Sequence, residues 1–468
     1  MPSLPCRSIL AGAACCLALV ACDTHEYPVV RPFVESDDLV VITVNSPDTY
    51  YENADGRIAG LEFDLVSEFA RDLGMQVKFR TVPGLDQMLA TLQRQGGHLA
   101  AGLVVGARHA VHARLGPEYQ RVQPQVAYNT DRGRVTDALQ LVGRSVVIAS
   151  GTPYAEPLAK VLQQAPGLKW AEVDIPGEDL LAKLAKGEEG VDYVVADSVQ
   201  IARARSFYPN LDVAFDLGAP AGKAWLFPLY AERALLEKAQ AFFERIERDG
   251  TLGHLLDRHY GHIGRLERTD VSGILARRRT QLPDLRAHFH EAEEVAGIDW
   301  RLIAALAYQE SAWDHLATSP ANVRGIMMLT EATADRMKVA DRLDARESIL
   351  AGARYLRLLM DRLPTRILEP DRTWIALAAY NQGPSHIEDA RILAQRLGLN
   401  PDSWADVKKV LPLLSLSGYF QTLRHGYARG GEAVVLTESV RTYYSILLKY
   451  ERPYSWGFPV VKEVAPAA

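Results

Sequence analysis

Glu310 is the residue of this chain best placed to do chemistry. It lies in the run Ala304-Ala305-Leu306-Ala307-Tyr308-Gln309-Glu310-Ser311-Ala312-Trp313. It follows Ile303 by seven residues, Leu306 by four and Ala307 by three. Leu302, Ile303 and Leu306 form the apolar stripe of an amphipathic helix. The spacing therefore sets the carboxylate at the edge of the buried face. A carboxyl group half inside an apolar wall keeps its proton near neutral pH, as a general acid for glycosidic cleavage must. A surface or structural glutamate has the same spacing, so the residues that follow decide its meaning.

Three runs follow in order: Gly325-Ile326-Met327-Met328-Leu329-Thr330, then Ala378-Ala379-Tyr380-Asn381-Gln382-Gly383-Pro384, then Arg441-Thr442-Tyr443-Tyr444. With Glu310-Ser311, the series resembles the catalytic domain of family-1 lytic transglycosylases, which have a goose-type-lysozyme-like fold. One departure is visible: the family's usual glutamine in the second run is Met328 here. Gly-x-Met-Met-Leu-Thr resembles the F branch of that family.

The resemblance implies cleavage of the β-1,4 bond between N-acetylmuramic acid and N-acetylglucosamine in peptidoglycan glycan strands. The substrate's acetamido group assists, its 6-hydroxyl closes a 1,6-anhydro ring, and no cofactor takes part. One glutamate, first acid and then base, suffices, whereas most glycosidases need two carboxylates. Substrate contacts are implied for Ser311, Met327, Met328, Tyr380, Asn381 and Tyr443. Each has a plainer reading. Ser311 can be a surface serine, the two methionines core, and Asn381 a helix C-cap. Tyr444 competes with Tyr443 for the role of the late tyrosine that orients the glutamate. Arg441 reads as a structural ion-pair partner. A hydrolysing lysozyme, or a non-catalytic wall sensor or solute receptor, are the rival functions.

Helices must position these runs. From about residue 270 strand signals nearly vanish and helical patterns recur, at Leu285–Ala296, Trp300–Trp313, Ile349–Leu363, Trp374–Tyr380 and Ser439–Leu448 among others. This half reads as all-α. The half before it alternates strand and helix, as at Leu39–Val44, Gln76–Arg80, Ala100–Val105, Val146–Ala149 and Val191–Ala196. Such alternation predicts an α/β fold with largely parallel sheets. The strands fall into two clusters, about 39 to 128 and about 137 to 226, which predicts two lobes. A helical segment from Ala231 to Tyr260 closes the half. The expected organisation is a signal peptide at 1–21, a bilobal α/β domain at 22–268 and an all-α lysozyme-like domain at 269–468. The connection near 262 to 284 reads as short.

In the α/β half, Gly60-Leu61-Glu62-Phe63-Asp64-Leu65, Ala101-Gly102-Leu103, Val147-Ile148-Ala149-Ser150-Gly151-Thr152 and Val191-Asp192-Tyr193-Val194-Val195-Ala196-Asp197-Ser198 stand in order. The series resembles bacterial type-3 solute-binding proteins for polar amino acids, over roughly residues 38 to 262. A zwitterionic ligand needs a cation for its carboxylate and a carboxylate for its amine. Ser150, Gly151 and Thr152 lie between a strand and a helix, where backbone N–H groups can hold an anion. Asp197 ends a buried strand, where open α/β folds bind ligands, and the resemblance implies that it holds the amine. It is equally a helix N-cap. The family's carboxylate-binding arginine falls at or beside His109, with Arg108 as its neighbour. A muropeptide ligand is therefore as plausible here as a free amino acid.

The four cysteines are Cys6, Cys15, Cys16 and Cys22. An apolar run from Ile9 to Val20 follows Arg7, too short to span a bilayer and fitting a signal peptide. Leu19-Val20-Ala21-Cys22 resembles the lipobox of bacterial lipoproteins. It implies a lipid on Cys22 and a place on the periplasmic face of a Gram-negative envelope membrane, the outer one expected. Asp23 resembles an inner-membrane retention signal, so the inner membrane stays open. A net charge of −6 gives no electrostatic case for nucleic acid. No GxxxxGK[ST], HExxH or CxxC pattern is present, and no metal site is expected.

Overall fold

The computed structural model describes residues 27–53, 56–320 and 322–454. The signal segment, Cys22 and Asp23 lie outside the described residues.

Ten strands build two five-stranded sheets. They are β1 (Asp38–Val44), β2 (Gln76–Val82), β3 (Leu99–Val104), β4 (Arg114–Val122), β5 (Pro124–Asn129), β6 (Val146–Ala149), β7 (Trp170–Val173), β8 (Tyr193–Asp197), β9 (Leu211–Asp216) and β10 (Ala221–Phe227). The first sheet has the order β2-β1-β3-β10-β4 and the second β9-β5-β8-β6-β7. β1 reads as an unbroken apolar run because both its faces are covered. Leu39 and Val41 pack with Leu61, Leu65 and Phe69 on one side. Ile42 and Val44 pack with Met88 and Leu92 on the other.

Two expectations change here. The lobes do not follow chain order: β5 belongs to the second lobe and β10 returns to the first. The chain thus crosses twice, at Gln123 and at 217–220. Each sheet is also mixed. β1 runs parallel to β2 and β3, but β10 is antiparallel to β3 and β4. In the second sheet β5 is antiparallel to β8 and β9. A returning strand pairs with partners about 100 residues or more away, and strand periodicity carries no record of its partner.

Helices α1 (Leu61–Leu73), α2 (Ser198–Arg205), α3 (Arg233–Arg248) and α4 (Thr251–Tyr260) belong to the α/β half. The helical half contains α5 (Arg268–Thr280), α6 (Leu282–Ala296), α7 (Trp300–Ser311), α8 (Ala345–Arg362), α9 (Asp371–Gln382), α10 (Pro384–Arg396), α11 (Trp404–Val410) and α12 (Gly430–Tyr450). The segment expected as a short connection is largely α5, and its Val271 and Ile274 are buried in the helical core.

α7 is the centre of this half. Every residue from Trp300 to Tyr308 is buried. The sequence predicts a half-solvated helix instead. Ala304, Ala305 and Ala307 let neighbours close over the second face, and buried Arg301 is satisfied by Asp299, with Nε–Oδ1 at 2.9 Å. α12 packs antiparallel along α7, with Tyr308 and Tyr443 edge to face at 4.8 Å.

The halves are docked, and α12 is the seam. Arg441 donates from Nη2 to the carbonyls of Asp257 and Arg258, at 2.9 and 3.0 Å. These carbonyls end α4, where the helix dipole favours a cation. Thr442 Oγ1 donates to the His262 carbonyl at 2.9 Å. Arg441 also pairs with Glu438 at 3.0 Å, which is the structural role its position suggested.

Candidate active site and inter-lobe cleft

Glu310 occupies the last turn of α7. The helix stops two residues later, where Ala312 and Trp313 take positive φ values of 53° and 64°. Trp313 turns back and donates from Nε1 to the Ala304 carbonyl at 2.8 Å, fixing that stop. The Glu310 carboxylate receives no hydrogen bond among the described residues. Burial alone pushes its carboxyl up to about 8. It opens on a cavity of about 640 Å³ that Gln309, Asn381, Ser415, Arg429 and Glu432 also line.

The first three runs meet through backbone. Gly325 has φ 81°, and a Cβ there would lie 1.8 Å from the Arg342 carbonyl oxygen. The tight turn it permits points two carbonyls at neighbouring helices. Ser311 Oγ, beside the acid, donates to the Ile326 carbonyl at 2.8 Å. Tyr380 Oη, on α9, donates to the Met327 carbonyl at 2.9 Å. Tyr380 is held far above the usual phenol range, by burial first and by neighbouring Glu310 second. α9 stops at Gly383, φ 91°, leaving Asn381 exposed in the cavity.

These contacts revise several expectations. The Ser311 hydroxyl proton is spent on the turn and does not point to substrate. Met327 is fully buried, with its side chain against Gly352, so it is core. Met328, φ 47°, is only partly buried. Asn381 is not the helix cap, since Gly383 takes that place. Tyr443 lies against Tyr308, and no hydrogen bond links its hydroxyl to Glu310 among the described residues. Tyr444 instead donates to Asp299 at 3.0 Å. Arg429 and Glu432, paired at 3.0 Å, were missed. Arg429 caps the start of α12 and Glu432 lies in its first turn, which no motif marks.

The cleft between the two lobes is lined by Asp48, Glu178, Asp197, Lys223, Ser150 and Thr152, among others. Two ion pairs cross it. Arg203 of α2 meets Asp48 of the first lobe at 2.8 Å, and Lys223 of β10 lies 3.8 Å from Asp197. Burial opposes the charge on Asp48, but Arg203 and Lys223 outweigh it and hold its carboxyl below the usual range. Burial dominates at Asp197 and raises it. Burial and the Asp48 charge push Glu178 well up. Burial works against charge on Lys223 too, but Asp197, Asp48, Glu62 and Glu178 raise it. The Asp48 and Glu178 carboxyls share a hydrogen bond, and the Tyr154 hydroxyl reaches Asp197.

Asp197 is the N-cap of α2 and also faces the cleft. Its Oδ1 caps α2 through Val199 and Gln200, both at 2.9 Å, while Oδ2 faces Lys223. Arg108 and His109 do not line the cleft. Arg108 reaches Asp86 and Glu172 at its outer edge, at 3.5 and 3.7 Å. His109 is fully buried, accepts at Nδ1 from the Gly106 N–H and donates from Nε2 to the Gly151 carbonyl at 2.9 Å. The anion cradle expected at 150–152 is mostly spent, since Ser150 N–H donates to Val173 and Thr152 N–H to Ala149. The cation in the cleft is Lys223. A lysine inside Ala221-Gly222-Lys223-Ala224-Trp225-Leu226, an otherwise apolar strand, was the legible signal.

Comparisons with known proteins agree with this two-part architecture. Residues 39–262 match the bacterial extracellular solute-binding proteins, family 3, and residues 287–399 match the Transglycosylase SLT domain. An ancestral arginine-binding protein bound to arginine is similar in structure, covering 48% of this chain and 99% of its own, at 20% identity and a TM-score of 0.44. By the two family matches, the chain is a solute-binding-type module joined to a transglycosylase-type helical domain.

The membrane-bound lytic murein transglycosylase F of Nitrosospira multiformis is 64% identical over 455 residues, covering 97% of this chain and 95% of the relative. That of Methylobacillus flagellatus is 48% identical over 448 residues, covering 95% and 94%. This chain belongs to the membrane-bound lytic murein transglycosylase F family.

Proposed function

We propose that the chain is a peptidoglycan lytic transglycosylase in which Glu310 is both acid and base. It cleaves the β-1,4 bond between N-acetylmuramic acid and N-acetylglucosamine and leaves 1,6-anhydromuramoyl ends. The observation that carries this reading is the Glu310 carboxyl, raised to about 8 by burial with no charged partner contributing. Protonated at neutral pH, it gives its proton to the leaving glycosidic oxygen. The substrate's acetamido oxygen stabilises the cation at C1. The Glu310 carboxylate then takes the proton of the 6-hydroxyl as that oxygen bonds to C1.

The other acid in the cavity, Glu432, is exposed and paired with Arg429, which suits it poorly to act as nucleophile. This favours the anhydro product over the reducing end that a hydrolysing lysozyme leaves. Asn381 lines the cavity beside the acid, Tyr380 lies close to the acid, and Tyr443 packs on Tyr308 of α7. Mass spectrometry of digested peptidoglycan tests the reading. Wild type should release anhydromuropeptides, and Glu310→Gln should fold and release essentially none, since proton transfer is worth ~10²–10⁴-fold per step. Release by the variant near the wild-type rate would remove Glu310 from the mechanism.

The α/β module is read as a regulatory ligand domain. Three carboxyl groups gathered in the cleft, Asp48, Glu178 and Asp197, support a ligand with an amine, such as an amino acid or a muropeptide. Its closure on that ligand would bias the docked enzyme half, which requires a different affinity for the two states. Turnover of purified glycan with and without stem peptides, for wild type and Asp197→Ala, tests the coupling. A peptide that binds by calorimetry without changing turnover would leave a targeting role only. No described helix is long and apolar enough to cross a membrane. A lipid on Cys22 would supply the attachment, at about 0.8 kcal/mol per buried CH₂. Intact mass of the membrane fraction checks it, and an unmodified Cys22 there would refute it.

A further inference from the structure

A second cavity lies at the seam, where both lobes and α12 meet. Its volume is about 500 Å³, within the range of small-ligand sites. The first lobe contributes Tyr51, the second Glu178, Phe207 and Tyr208, and α12 contributes Tyr444 and Lys449. It is distinct from the inter-lobe cleft and from the Glu310 cavity, although Glu178 stands in the wall shared with the cleft.

The ammonium and the rings of this cavity point to a ligand. Lys449 Nζ lies over the rings of Phe207 and Tyr208, at 4.6 and 5.1 Å from their centroids. It has no carboxylate partner within ion-pair distance among the described residues. Burial first, then nearby Arg203, lowers its ammonium from the usual lysine range, against Asp179 and Glu178, which raise it; Glu52 and Arg203 share the cavity wall with it. Glu178 stands in that wall with its carboxyl hydrogen-bonded to Asp48 of the cleft. The rest of the wall is rich in aromatic rings. Flat ring faces suit the C–H faces of a pyranose, and a lone ammonium suits a carboxylate.

We propose that this seam cavity binds a carboxylate-bearing sugar of the muramic acid type, with the carboxylate on Lys449 and the sugar ring against Tyr208 and Tyr444. This rests on the reading of the chain as a peptidoglycan enzyme, whose glycan contains such a sugar. Because the ligand touches the second lobe and α12, it ties the module and the enzyme half into the arrangement seen here.

The test is calorimetry on the purified full chain with N-acetylmuramic acid as probe and N-acetylglucosamine, which lacks the carboxylate, as control. The muramic sugar should bind, and the control about tenfold more weakly, the loss of one charge-assisted contact. Lys449→Gln should weaken the muramic sugar about tenfold and leave the control unchanged. Tyr208→Ala should weaken both. Asp197→Asn and Glu310→Gln should leave muramic acid binding unchanged, which separates this site from the other two. Unchanged thermal unfolding of Lys449→Gln shows that the variant is folded. The proposal fails if the two sugars bind alike, if neither binds at millimolar concentration, or if Lys449→Gln binds as wild type. It also fails if binding is lost in Asp197→Asn or Glu310→Gln. Anhydro product release by Glu310→Gln would overturn the catalytic reading alone, because the calorimetric result does not depend on turnover.

Discussion

The Glu310 side chain trades stability for chemistry. Its folded carboxyl titrates near 8 against 4.5 for an ordinary glutamate. The folded state therefore holds a proton that the unfolded chain has released. Its contribution to stability is intact below pH 4.5 and is lost as pH rises toward 8. Glu310→Gln should accordingly stabilise the protein at pH 7 by about 1–3 kcal/mol, allowing for its partial opening to the cavity, and not at pH 4. Urea unfolding at the two pH values measures this, and equal gains at both would contradict it. The same titration sets activity. The rate with purified glycan should fall as pH rises through about 8, because the acid form disappears. A rate constant to pH 9.5 would mean that another group donates the proton.

At the scale of elements, the turn at 325–328 is the joint between α7 and α9. Tyr380→Phe removes the hydrogen bond to the Met327 carbonyl and leaves a buried acceptor unmet. A loss of about 1–2 kcal/mol is expected. Because this turn and α9 frame the acid, turnover should fall with it. Gly325→Ala meets both a positive φ and the Arg342 carbonyl, so a larger loss is expected, above about 2 kcal/mol. Thermal unfolding of the two variants gives the order, and a harmless Gly325→Ala would show that the turn can rearrange. The runs holding these residues were legible in the sequence; the bonds between them were not. Ser311 and Met327 were expected in the cleft because their runs contain cleft residues. Which side chain faces inward depends on the turn's backbone, fixed by partners 15 and 53 residues away.

Across the whole molecule, the seam makes two halves behave as one body. Arg441 is buried and supplies two bonds to the end of α4 besides its pair with Glu438. Arg441→Met would leave Glu438 with fewer donors and free the α4 carbonyls, at a cost of about 3–5 kcal/mol for a broken buried pair. The halves should then separate, seen as a larger radius in solution scattering and faster proteolysis near 261–267. An unchanged radius would mean that the remaining contacts suffice. The two ion pairs across the inter-lobe cleft act similarly within the module. Asp48→Asn should loosen the lobes by removing the charge that Arg203 meets at 2.8 Å.

Much of this organisation follows from local pattern. Apolar runs covered on both faces announced β1, β6 and β8, and the 3.6-residue period announced the helical half. Four short runs announced the family and the acid, because chemistry restricts residue type at fixed local spacing. Tertiary structure decided what local pattern does not encode. It returned β10 to the first lobe and so brought Lys223 to Asp197, a pairing of residues far apart in the chain. It turned α5 from a connection into core, and it buried α7 on every side. That enclosure raises the Glu310 carboxyl, since desolvation depends on what surrounds a charge in space and not on its neighbours in sequence.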